Sequence, residues 1–128
     1  MDSQVHGVVR DGLGQGREFT QLDWVRQQFR DKVGFDPCPG TLNVSVQDSA
    51  TLAEWRASRG IELIPTPGFC AARCYRVRLN ETRDAAWIIP DVPGYPNDLI
   101  EIMAPVLLRD ALELKTGDFV SIRLLERE

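Results

Sequence analysis

Residues 37–46 read Pro37-Cys38-Pro39-Gly40-Thr41-Leu42-Asn43-Val44-Ser45-Val46. The prolines and glycine force a turn, and Leu42, Val44 and Val46 then alternate with Thr41, Asn43 and Ser45. A period of two marks a strand with one apolar and one polar face. That strand sets the class of the whole chain, because the segments around it are also short, apolar and punctuated by Gly and Pro.

Upstream, Val5 to Arg10 reads as a first strand, and Gly12-Leu13-Gly14-Gln15-Gly16 as a loop whose glycines can take backbone angles closed to other residues. From about Gln21 to Lys32, Leu22, Val25 and Phe29 recur at helical spacing, and Gly34 is placed to cap that helix. Downstream, Ser49 is the expected N-cap of a second helix carrying Leu52, Ala53 and Trp55 and ended by Gly60. Ile61 to Ile64, Phe69 to Leu79, Ala85 to Ile89 and Leu99 to Met103 read as strands. Val106 to Leu114 can form a helical turn or two, and Lys115 to Asp118 a turn into the last strand, Phe119 to Leu125. Six or seven short strands with few helices predict a mainly β fold, a small closed barrel without exposed edges.

The chain has 128 residues and is 43% hydrophobic, the size of one domain burying roughly two thirds of its unfolded surface. We expect a single domain over residues 1–128. No apolar run approaches the ~20 residues that span a bilayer, and Met1-Asp2-Ser3-Gln4 lacks a signal-peptide pattern, so a cytoplasmic protein with no membrane partner is expected. Cys38, Cys70 and Cys74 are odd in number and irregular in spacing, which argues for a reducing compartment and for three small buried or half-buried thiols. A formal charge of −4 opposes nucleic-acid binding, which draws on basic residues replacing counterions. The one basic cluster, Arg73, Arg76 and Arg78, reads as a solvated strand face.

Several blocks, in order, resemble the archaeal CTP-dependent riboflavin kinase family. They are Gly7-Val8-Val9 with Gly12 to Arg17, Gly34-Phe35-Asp36-Pro37 with Pro39 to Val44, Ile100 to Pro105 with Leu108-Arg109, and Lys115 to Asp118 with Val120. Each block alone is weak; their joint order and spacing carry the resemblance. It implies a six-stranded cradle-loop β-barrel with one or two short helices. It also implies transfer of a phosphoryl group from CTP to riboflavin, giving FMN and CDP, with Mg²⁺; small-molecule substrates and a monomer are expected.

The glycine loop fits neither a P-loop nor a Rossmann fingerprint, since no Gly-Lys-Ser/Thr follows and Arg17 stands where a third glycine belongs. Its backbone N–H groups could still approach a phosphate, with Arg17 adding charge. By resemblance Gly12, Leu13, Gly14, Gln15, Gly16 and Arg17 touch the nucleotide, as do Leu107, Leu108, Arg109 and Asp110. Arg109 is the residue of that second group able to grip an anion in a bidentate way. Thr41 and Asn43 lie two apart on one strand face, a suitable pair of neutral oxygen ligands for Mg²⁺, and the resemblance gives them that role. Glu101 projects opposite its core neighbours Ile100 and Ile102; the matching family glutamate contacts the flavin, and Glu101 is the nearest candidate for a catalytic base.

Two departures concern the flavin side. The segment Asp91-Val92-Pro93-Gly94-Tyr95 replaces one that is basic and holds a threonine, with Pro93 at the threonine's place and Tyr95 beside it; Cys38 replaces an aromatic residue. They motivate an alternative, a non-catalytic or differently specific nucleotide- or flavin-binding relative. A DNA-binding relative is the third reading, which the acidic balance opposes.

Overall fold

A computed structural model describes residues 4–12 and 19–125. Seven strands are present: β1 (Gln4–Arg10), β2 (Leu42–Ser45), β3 (Ile61–Leu63), β4 (Ala72–Leu79), β5 (Arg83–Pro90), β6 (Leu99–Met103) and β7 (Phe119–Leu124). They are joined in the order β3-β4-β5-β6-β2-β1-β7, and β7 pairs again with β4. That last pairing closes six antiparallel strands into a barrel and leaves β3 as an added edge. The expected mainly β, six-stranded barrel is what the chain forms.

The alternation read from the sequence decides which side chains go inside. Leu42, Val44, Ile100, Ile102, Trp87 and Ile122 all lie in the barrel interior, each under 5% exposed. A second apolar layer lies outside the sheet: Ala86, Ile88, Cys74 and Met103 point outward and pack under Trp24, Val25 and Phe29. Those three come from α1 (Asp23–Gln28) and the π-helical turn Phe29–Val33 that follows it. Strand β5 is therefore apolar on both faces, which explains its unbroken Ala85 to Ile89 run.

Gly34 ends the helical segment at φ 100°, as its position predicts, and its N–H reaches back to the Phe29 carbonyl. The second helix, α2 (Ser49–Ala57), is capped by Asp48 and not by Ser49. The Asp48 carboxylate accepts from the Thr51 N–H at 3.1 Å and from the Thr51 hydroxyl at 2.6 Å. Strand β4 begins at Ala72 rather than Phe69, because Pro65 and Pro67 lack ladder donors and the Phe69 N–H closes a turn onto the Thr66 carbonyl. Of the three free thiols, Cys74 is buried and Cys38 half-buried, but Cys70 is exposed on this turn-rich segment. Burial pushes the Cys74 thiol up to about 12. The arginines of β4 are half-buried and tied down: Arg73 and Arg76 donate to backbone carbonyls, and Arg78 pairs with Asp84 at 2.8 Å. Among the described residues, no helix is long and apolar enough to cross a membrane.

Candidate functional site

Strand register lines up one row of residues on the outer face of the barrel. Arg10 of β1 lies opposite Asn43 of β2, Asn43 opposite Glu101 of β6, and Glu101 opposite Ile88 of β5. Directly opposed residues share a face, so these four side chains stand side by side. The row is apolar at the β5 end and polar toward β1.

Thr41 stands beside it, delivered by a tight turn. Gly40 takes φ 94°, its N–H is satisfied by the buried Thr20 hydroxyl at 3.0 Å, and Cys38 donates to the Ala104 carbonyl at 2.7 Å. The Thr41 hydroxyl then lies 3.2 Å from Asn43 Oδ1 and 3.4 Å from Glu101 Oε1. The other oxygen of Glu101, Oε2, accepts a hydrogen bond from the Tyr95 phenol. Burial pushes the Tyr95 phenol well above its ordinary range, and Glu101 pushes it further, so Tyr95 is the donor of this bond throughout neutral pH.

A cavity of about 250 Å³ opens at the apolar end of the row. Phe19, Ile88, Pro90 and Val92 form its walls, while Thr41, Tyr95 and Glu101 bring its polar atoms. A smaller recess of about 60 Å³ lies on the other side of Thr41, bounded by Pro39, Leu107, Leu108 and Arg109. Thr41 lines both. Larger clefts border β3, one of about 410 Å³ beside Lys32, Arg59 and Arg76, but the candidate residues read from the sequence gather around Thr41.

Thr41, Asn43, Glu101 and Tyr95 are thus neighbours in the structure. Pro93 is not one of them: it sits exposed in the loop between the cavity-lining Val92 and Tyr95. Arg109, on the short helix α3 (Leu108–Ala111), lines the small recess, but its guanidinium is already engaged with the Arg10 carbonyl at 3.1 Å, the Thr116 hydroxyl at 3.3 Å and Asp11 at 3.4 Å. It acts here as a clasp between the end of β1 and the turn before β7. Leu108 is buried in the core, Leu107 is exposed at the recess, and Asp110 is exposed beyond it. Gly12 lies against the Asn43 amide. Leu13, Gly14, Gln15, Gly16 and Arg17 lie outside the described residues. Phe19, Ile88, Pro90, Val92 and Arg10 were not read from the sequence as site residues; Arg10, at the polar end, donates to the Ser45 hydroxyl at 3.2 Å.

The donor set suits a hard divalent cation. Thr41 Oγ1 and Asn43 Oδ1 are neutral oxygens 3.2 Å apart. Adjacent ligands of an octahedral Mg²⁺ bound at 2.0–2.1 Å are about 3 Å apart. Among the described residues no group of three or more His, Cys, Asp or Glu offers a cage for a metal, so two neutral oxygens would leave most corners to phosphate and water.

The family model for the CTP-dependent riboflavin kinases, described as domain of unknown function DUF120, matches residues 9–124. The chain belongs to this family. Similar curated proteins carry the name riboflavin kinase. That of Methanocella arvoryzae is 44% identical over 124 residues, covering 94% of this chain and 56% of the relative. That of Archaeoglobus fulgidus is 38% identical over 128 residues, covering 95% and 54%. That of Pyrobaculum aerophilum is 37% identical over 126 residues, covering 93% and 59%. The chain therefore spans a little over half the length of the curated family members it matches.

Proposed function

We propose that the chain is a riboflavin kinase that uses Mg²⁺ and CTP to phosphorylate riboflavin, giving FMN and CDP. The observation that carries this reading is the position of Thr41, shared by an apolar cavity on one side and a small recess by Leu107 and Arg109 on the other. A flavin ring suits the first, and the second has room for a phosphate-sized part of a nucleotide, so the acceptor hydroxyl and the terminal phosphate would meet beside Thr41, Asn43 and Glu101.

Phosphoryl transfer asks a protein mostly for alignment and charge neutralisation. Thr41 and Asn43 would hold Mg²⁺, which neutralises phosphate charge when bound. With their oxygens turned to a cation, the single Thr41 proton is left to Glu101 Oε1. Tyr95 holds Oε2, so the carboxylate is fixed from both sides at the mouth of the cavity. Glu101 then accepts the proton of the ribityl 5′-hydroxyl as that oxygen bonds to the γ-phosphorus. The bond from phosphorus to the bridging oxygen breaks, and its electron pair leaves with CDP. The loop from Gly12 to Arg17 and the segment from Leu107 to Asp110 are the proposed nucleotide contacts, Pro93 and Tyr95 the flavin-side ones.

Incubation of the purified chain with Mg²⁺, riboflavin and each of CTP, ATP, GTP and UTP, followed by flavin chromatography, tests the reading. FMN with CTP is expected. Absence of FMN with every donor sinks it, and flavin binding without turnover would favour a sensor.

A further inference from the structure

Gly12 is surrounded in an unusual way. A Cβ built on it would fall on the Asn43 side chain, closest to Nδ2 and next to Cγ. Its backbone is not in the left-handed region, so nothing in its conformation demands glycine. Space demands it. The Asn43 backbone cannot move aside, because Asn43 is paired on both flanks, with Arg10 in β1 and Glu101 in β6. The side chain is what would have to yield. As it stands, the amide nitrogen fills the place of the missing Cβ, and Oδ1 is thereby turned to the Thr41 hydroxyl. Gly12 is itself held from the other side: Asp11 accepts from Thr116 at 2.7 Å and from Arg109 at 3.4 Å, and Val9 exchanges backbone bonds with Gly117 and Asp118.

We infer that Gly12 is a positioning residue for the divalent cation site: its bare Cα seats the Asn43 amide so that Oδ1 faces the cation beside Thr41. This rests on the reading of Thr41 and Asn43 as metal ligands, and it is a role beside the one the resemblance suggests, contact of Gly12 with the nucleotide. A residue that orients a ligand usually changes metal affinity by 10–100-fold when altered.

The test uses Mn²⁺, which accepts the same oxygen ligands, with binding followed by loss of the free-Mn²⁺ electron paramagnetic resonance signal in the presence of CDP. Gly12→Ala should weaken Mn²⁺ roughly tenfold or more, Asn43→Ala should do the same, and the double variant should be no worse than Asn43→Ala alone. Each titration is read against CDP alone and run at a CDP concentration that calorimetry in EDTA shows to saturate that variant, so that a change in CDP affinity does not enter the reading. The Asn43 side-chain amide signals, assigned by their loss in Asn43→Ala, should move in Gly12→Ala. Natural Mn²⁺ affinity in Gly12→Ala beside a loss in Asn43→Ala overturns the inference alone. Natural affinity in both variants overturns the metal reading and the inference with it. Natural Mn²⁺ affinity at saturating CDP beside weakened CDP binding in EDTA assigns Gly12 to the phosphate alone and overturns the inference. Should Gly12→Ala not fold, adding Asn43→Ser must restore folding, since it removes the proposed clash; no rescue also overturns the inference.

Discussion

The Tyr95 phenol is the residue whose removal says most about the site. Tyr95→Phe keeps the ring that walls the cavity and deletes only the donor to Glu101 Oε2. A hydrogen bond to a charged acceptor is worth about 1.5–3 kcal/mol, so we expect kcat to fall by roughly 10- to 100-fold, with the riboflavin KM within about twofold. Steady-state kinetics with varied riboflavin decides it; a rise in KM at unchanged kcat would make Tyr95 a binding wall only. The polar half of this site could be read from the sequence, because strand alternation alone puts Thr41 and Asn43 on one face and Glu101 opposite Ile100 and Ile102. The apolar half could not. Phe19, Ile88 and Val92 meet Thr41 only through the pairing of β2 with β6 and of β6 with β5, a register that no local pattern encodes. Arg109 looked free to grip an anion for the same reason, since its partners Arg10, Asp11 and Thr116 lie up to 99 positions away.

At the scale of elements, turn chemistry was the most readable feature and strand and helix boundaries the least. Gly34 and the Lys115 to Asp118 turn follow from residue type, whereas the cap of α2 slid by one residue. Asp48 and Ser49 are both good caps in sequence, and only the geometry of the Val46 exit chooses between them. Asp48→Ala should therefore lower Tm while Ser49→Ala leaves it unchanged, as thermal denaturation followed by circular dichroism would register. Bonds from Thr51 hold the Asp48 carboxyl below its ordinary range, so this contribution is present above the ordinary carboxylate pKa and is lost as pH falls through the lowered one. Edge strand β3 shows a second device. The Gln28 amide both donates to the Ile64 carbonyl at 2.7 Å and accepts from its N–H at 2.8 Å, and Lys32 covers the Glu62 carbonyl at 2.8 Å. Helical side chains thus occupy backbone groups that a neighbouring molecule could otherwise pair with. Gln28→Ala should cost about 1–2 kcal/mol for the two lost bonds and increase association at high concentration, measurable by urea denaturation and light scattering.

Across the whole molecule, Trp87 joins the layers. Its ring lies 5.9 Å from Trp55 of α2 and 5.2 Å from Tyr75 of β4, with the Arg56 guanidinium 5.7 Å away. Arg56 also holds the Asn97 carbonyl of the loop that carries Tyr95. Truncating a buried tryptophan costs about 3–5 kcal/mol, a large part of the ~5–15 kcal/mol that a domain holds, so Trp87→Ala should lower the urea midpoint steeply. A midpoint within error of the natural chain would show that the interior repacks freely. The closed barrel has one more consequence, for synthesis on the ribosome. β1 has β2 on one flank, but its other flank, and the seam with β4, wait for β7, so that Val5 meets Ile122 and Val77 meets Leu124 only after nearly all described residues have emerged. Until then the nascent chain carries two open sheet edges and an unsealed apolar interior. Folding of the barrel is therefore a late event, and a stalled chain lacking β7 is the form a chaperone would bind.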